Sequence, residues 1–230
     1  TREAWMYHVM ELHERFEAYE RSTEASAART AAHDDVKVVF AALARNAGAI
    51  AVAMEPRGWD AGGATDRHKR PDIEWINVET RLFTVSDVAI RWAMTAGSGT
   101  EHAAAAEKSK VTDYKPAMKR NREAAARARR PADEFVPLGF AKNGAWGPET
   151  QRVFATLAKM AEQCKRVSAD LYGWSAMTWK AHWPMRLGVT LARARAALVT
   201  EGVRCRQQVA GDGQRDPEAE EKRVSMQYRA

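Results

Sequence analysis

The chain has 230 residues, 45% of them hydrophobic, and a formal net charge of +6, which suffices for one good hydrophobic core and a small helical appendage. No apolar run approaches the roughly 18–20 residues that a membrane span requires, and no basic start leading into an apolar core marks a secretory signal. Two cysteines, Cys164 and Cys205, provide neither a disulfide framework nor a zinc cage, which points to a reducing compartment.

Thr1 to about Thr30 reads as helix, with Trp5, Val9, Leu12, Phe16 and Tyr19 at helical steps. His8 and His13, with no cysteine beside them, cannot build a tetrahedral zinc site and read as helix-surface residues. Asp34 and Asp35 suit a helix start, Val36, Val39, Phe40, Leu43 and Ala47 form an apolar stripe, and Gly48 is a stop, predicting a helix over 34–47. Ile50 to Met54 reads as a short strand ended by Glu55, which is either a solvent-facing acid or part of a metal group. Pro56, Arg57 and Gly58 with Gly62 and Gly63 then make a loop. Two apolar runs follow, Ile73 to Val78 and Leu82 to Ile90, on either side of a polar turn at Glu79 and Thr80. Asp72 opens the first run and Asp87 lies near the end of the second.

The segment from Thr100 to Tyr114 is helical, because Ala103, Ala106, Glu107, Lys110 and Tyr114 share one face. Phe135 to Phe140 is a further strand, in which Pro137 marks an edge or an irregularity. Gly144 to Gly147 is a tight turn, and Pro148 and Glu149 open a helix to about Cys164 with Val153, Phe154, Leu157, Met160 and Ala161 as its stripe. Trp146 is expected to pack beneath that helix. Trp174, Trp179 and Trp183, interleaved with Lys180, His182 and Arg186, are core or a base-stacking surface. A last helix begins near Pro184 with Leu187, Leu191, Ala194 and Leu198 inside, and the chain is a polar tail after Val209.

The chemistry-bearing residues concentrate between Asp72 and Arg130. Two acids on neighbouring strands can meet, and the spacing predicts that the carboxylates of Asp72 and Asp87 lie within about 6 Å, close enough to share one divalent ion. Such an ion polarises a phosphodiester and lowers the pKa of a bound water. Lys110 lies on a packing face, where an ammonium is costly without partners, and the two aspartates are its natural ones. Immediately downstream stand seven basic residues, Lys115, Lys119, Arg120, Arg122, Arg127, Arg129 and Arg130, against the single acid Glu123. That stretch accounts for the whole positive excess and is the candidate nucleic-acid backbone contact, or else a solvated helix end.

The order of Arg70-Pro71-Asp72, then Asp87 after an apolar strand, then Lys110 four residues before Tyr114, resembles the restriction-like endonuclease of non-LTR retrotransposons. This branch of the PD-(D/E)xK superfamily stands at the C-terminal end of the reverse transcriptase polyprotein, and its lysine has moved onto the following helix; Ala89 stands in this chain where that lysine usually lies. The flanks agree: His33-Asp34-Asp35 ahead of a helix, Glu55-Pro56 after it, then Phe135 to Leu138 followed by Gly144-Ala145-Trp146-Gly147. The likeness runs from roughly residue 30 to 200, and its N-terminal zinc knuckle is missing.

The resemblance implies an α/β fold with a central mixed sheet of about four strands, flanked by helices 34–47 and 100–114. The implied organisation is a helical extension at 1–30, the nuclease-like domain at 31–165, a helical segment at 166–209 and a tail at 210–230. Asp72 and Asp87 are implied as Mg²⁺ ligands, with Lys110, Tyr114 and Glu55 completing the catalytic set. The implied activity is nicking of DNA in the nucleus, with no membrane partner. The alternative is a repurposed, catalytically idle subunit that binds nucleic acid and protein partners in a larger RNA–protein assembly, such as an organellar ribosome in the mitochondrion.

Overall fold

The structure, a computed structural model, describes residues 25–56, 70–92, 97–163 and 178–213, with side chains as far as 204. The expected N-terminal helix with His8 and His13, the loop from Arg57 to Gly63, Cys164, Trp174, the Cys205 side chain and the tail after 213 lie outside these residues. Contacts divide the chain into two compact units, residues 29–195 and residues 1–28 with 196–230. In the second unit, Ala25 and Leu198 are fully buried.

The elements in order are α1 (Ser26–Asn46), β1 (Ile50–Met54), β2 (Ile73–Ile76), β3 (Phe83–Arg91), α2 (Gly99–Arg127), β4 (Glu134–Ala141), α3 (Pro148–Gln163) and α4 (Trp179–Gly213). The four strands form one mixed sheet in the order β1-β2-β3-β4. The first two pairings are antiparallel and β3 runs parallel to β4, with α2 as the crossover. The mixed α/β expectation therefore holds for the described residues. Among them, no helix is long and apolar enough to cross a membrane.

Alternation along the strands sorts the core into two clusters on opposite faces. Ile73, Trp75, Val88, Val136, Leu138 and Phe140 join Val36, Phe40 and Leu43 of α1, Val153 and Leu157 of α3, and Trp179, Trp183, Leu187 and Leu191 of α4. Val85 and Phe135 face the other way, onto Tyr114 and Ala117 of α2. The first unit thus runs past residue 165, where the sequence suggested a boundary. Trp179 and Trp183 are buried, and the Trp179 indole donates to Asn46 Oδ1 at 2.9 Å. Trp146 packs edge-on against Phe154 at 5.2 Å between ring centroids, as expected.

Three element boundaries differ from the sequence reading, each for a physical reason. α1 begins at Ser26 and not at 34, because the alanine-rich stretch ahead of Asp34 favours helix and Asp34 pairs with Lys37 one turn on at 3.0 Å instead of capping. α2 does not stop at Tyr114. It passes through Pro116 to Arg127, since Ala117 and Ala125 continue its buried stripe and outweigh the lost backbone bond. Its start is a capping box in which Ser98 Oγ accepts from Glu101 N–H and Glu101 Oε2 accepts from Ser98 N–H. α4 begins at Trp179, ahead of Pro184, because burial of Trp179 and Trp183 one turn apart fixes the extra turn.

Candidate metal centre

α1 delivers the first group. Its buried stripe of Val36, Phe40 and Leu43, traced back one turn, reaches His33, so the same face that meets the sheet also presents an imidazole. His33 Nε2 lies 3.1 Å from Asp72 Oδ2, and its Nδ1 lies 3.4 Å from Asp34 Oδ1. Lys37, one further turn along, is clasped between Asp34 at 3.0 Å and Glu55 at 2.9 Å.

Asp72 is fixed by its backbone before its side chain does anything. Its N–H donates to Ser86 C=O at 2.9 Å and its C=O accepts from Glu55 N–H at 2.8 Å, extending the ladder beyond β2 on both sides. The carboxylate then reaches over to accept the Val88 N–H at 2.7 Å. Asp87 stands within β3 on the face turned to α2, where Lys110 Nζ meets its Oδ2 at 2.8 Å. Tyr114, one turn beyond Lys110, is buried and stacks on Phe135 at 4.6 Å. The sequence expectation that the two aspartates meet with Lys110 beside them is met. One ligating atom from each of His33, Asp72 and Asp87 falls within 4.8 Å of the other two.

Charge is unevenly distributed over this group. Burial pushes the Asp87 carboxyl up, and Asp72 adds to the push against the pull of Lys110, bringing it to about 7. Burial also opposes ionisation of Asp72, but hydrogen bonds from His33, from Asp87 and from the Val88 amide outweigh it and hold that carboxyl down to about 2. His33 is raised, chiefly by its hydrogen bond to Asp72. Tyr114 is raised by burial and by the neighbouring carboxylates, so its hydroxyl stays a donor. Below about pH 7 the pair therefore holds one anion and one proton, and a divalent cation bound there would have to displace that proton.

Glu55 is placed differently from the other four residues of the expected catalytic set. Its φ of 53° turns the chain out of β1, and its carboxylate goes to Lys37, outside the converging three. His33 was visible in the sequence only as a flanking residue. The signal that could have found it is its position three residues before Val36 and seven before Phe40, on the core-facing stripe of one helix.

The basic residues are all exposed. Lys115, Lys119, Arg120, Arg122 and Arg127 are exposed on α2, and Arg129 and Arg130 follow its C-terminus. Arg129 adopts φ 52°, with Arg129 N–H on Ala126 C=O and Arg130 N–H on Ala125 C=O, the left-handed helix ending that usually takes glycine. Lys119 approaches Glu123 at 4.0 Å and Arg130 binds Asp133 at 2.9 Å, both on the surface.

No protein-family model matches the chain, and no curated protein is significantly similar to it.

Proposed function

We propose that residues 29–195 form a restriction-like, metal-dependent endonuclease domain of retroelement type that nicks a DNA phosphodiester. The observation that carries this reading is the convergence of His33, Asp72 and Asp87 on one point beside Lys110. Two carboxylates and an imidazole are a fitting donor set for a divalent cation. When bound, the ion supplies Lewis acidity toward the phosphate and a more acidic water. Asp72 and Asp87 hold that position, and Lys110 Nζ places a positive charge where negative charge develops on the phosphoryl oxygens. Tyr114 packs with Val85 and Phe135 beside Asp87 and so closes the α2 side of the group. Lys115 to Arg130 hold the duplex backbone, so the working compartment is the one that contains target DNA.

A second reading is favoured by one feature: each acid of the group already has a partner within the chain, Asp72 in His33 and the Val88 amide, Asp87 in Lys110. A network closed in this way also suits a repurposed, idle nucleic-acid-binding subunit of an RNA–protein assembly. Purified protein with Mg²⁺ or Mn²⁺ is expected to nick supercoiled plasmid, and Asp87→Asn or Lys110→Ala to reduce nicking by at least roughly a hundredfold with the fold retained. Protein that binds duplex but never cuts with either ion decides for the second reading.

A further inference from the structure

The converging donors are not the all-oxygen set that magnesium takes. We propose that the site selects a first-row transition-metal cation, Mn²⁺ or a later divalent ion such as Zn²⁺, over Mg²⁺, with His33 Nε2 as a metal ligand. This rests on the reading of Asp72 and Asp87 as the metal-holding pair and extends it to a nitrogen donor and its supports.

Three observations carry it. The first is geometric: ligand atoms on opposite sides of one ion stand roughly 4.2 Å apart when each metal–ligand bond is about 2.1 Å, so a group whose atoms all lie within 4.8 Å needs only a small closing movement. The second is the imidazole's own partner. His33 Nδ1 lies 3.4 Å from Asp34 Oδ1, the carboxylate–histidine arrangement that holds a proton on Nδ1, so that Nε2, which faces Asp72 at 3.1 Å, becomes the donor once a metal displaces its proton. The third is what holds Asp34: Lys37 Nζ at 3.0 Å, itself held by Glu55 at 2.9 Å. Asp34, Lys37 and Glu55 therefore form a chain of outer partners ending on the ligand, which gives Glu55 a positioning role without direct contact with the metal. Magnesium prefers oxygen donors and retained waters, whereas imidazole suits the later divalent metals and manganese accepts both.

The test is binding of the metals themselves to the full chain, followed by calorimetry and by electron spin resonance of Mn²⁺. Mn²⁺ bound to wild type is expected to show nitrogen hyperfine modulation, and His33→Gln to abolish that signature. His33→Gln and His33→Ala should each weaken Mn²⁺ and Zn²⁺ roughly 10–100-fold and Mg²⁺ by less than about threefold, with Asp34→Asn lowering Mn²⁺ affinity by about tenfold. Carboxylates alone also favour Mn²⁺ over Mg²⁺, so dependence on His33 is the deciding readout. Bound Mn²⁺ without nitrogen coupling, or a metal preference unchanged in both His33 variants, overturns the inference while leaving the nuclease reading intact. Binding with nitrogen coupling in a protein that never nicks DNA upholds the site and removes the nuclease reading. Wild-type protein that takes up none of these ions overturns the metal site altogether.

Discussion

Asp87 is the residue at which the proposed chemistry and the stability of the domain meet. Its carboxyl, ordinarily near 3.8, is pushed up to about 7, first by burial and then by Asp72. The folded protein therefore keeps a proton that the unfolded chain releases. The stability contributed by that proton is complete below the unfolded value of 3.8 and is lost as pH rises through about 7. In metal-free protein the unfolding free energy is expected to fall across this window, with a slope of at most about 1.4 kcal/mol per pH unit. Asp72, held down to about 2, stays ionised in the folded protein and titrates near 3.8 only when unfolded, so it adds a slope of opposite sign that is confined to below about pH 5. His33, raised by Asp72, loses stability in the same direction on rising pH, but around and above its ordinary value of 6.5. Denaturant titrations of wild type and Asp87→Asn from about pH 4 to pH 7 separate the two contributions; identical slopes would refute the assignment to Asp87. Asp72, Asp87 and Lys110 stand out in the chain because Asp72 opens an apolar run, Asp87 interrupts the next and Lys110 interrupts the packing face of a helix. His33 precedes its stripe, and its partner lies 39 residues away in sequence, a separation no local pattern spans.

At the scale of elements, α2 uses its buried and exposed sides for groups of different kinds. Glu107 is buried and uses its carboxylate to receive the N–H groups of Glu149 and Thr150 at 3.1 and 2.9 Å and the Thr150 hydroxyl at 2.8 Å. It caps α3 from a neighbouring helix. The close approach requires glycine at two places: a Cβ on Gly147 would stand 2.2 Å from the Glu107 carboxyl carbon, and one on Gly139 would stand 2.4 Å from the Ala103 carbonyl oxygen. Glu107→Ala strands these donors and is expected to cost roughly 2–3 kcal/mol in unfolding free energy. Glu107→Gln, which keeps one acceptor oxygen, should cost about half as much. The exposed side of the same helix carries Lys115, Lys119 and Arg122 at steps of four and three residues, one row along its surface. Replacing the three with alanine should flatten the log–log salt dependence of duplex binding by about two to three units, equally for unrelated sequences. An unchanged slope would take this face out of the nucleic-acid contact. The sequence reading set these charges just after a helix ending at Tyr114, whereas they lie on it, since Pro116 is a breaker by local rules and only the packing of Ala117 and Ala125 overrides it.

For the molecule as a whole, periodicity predicted strands but not their order, and the extent of the compact unit came from packing that no periodicity announced. Trp179, Trp183, Leu187 and Leu191 share one hydrophobic cluster with α1, α3 and the sheet. A fragment of residues 29–195 is therefore expected to unfold in one cooperative thermal transition. A fragment ending at 165 strips four large side chains from the cluster, each worth roughly 1.5–3 kcal/mol of burial, and should show no cooperative transition by calorimetry. Cooperative melting of the shorter piece would mean that α4 is peripheral. The continuity of α2 through Pro116 has a metrical consequence. Lys110, beside the scissile position in the proposed reaction, and Arg127, the last basic residue of the helix, stand roughly 25 Å apart along its axis at about 1.5 Å per residue. One strand of DNA covers that distance in about seven nucleotides at about 3.4 Å each. The helix would thus act as a ruler, setting how far the grip on the duplex extends to one side of the cut.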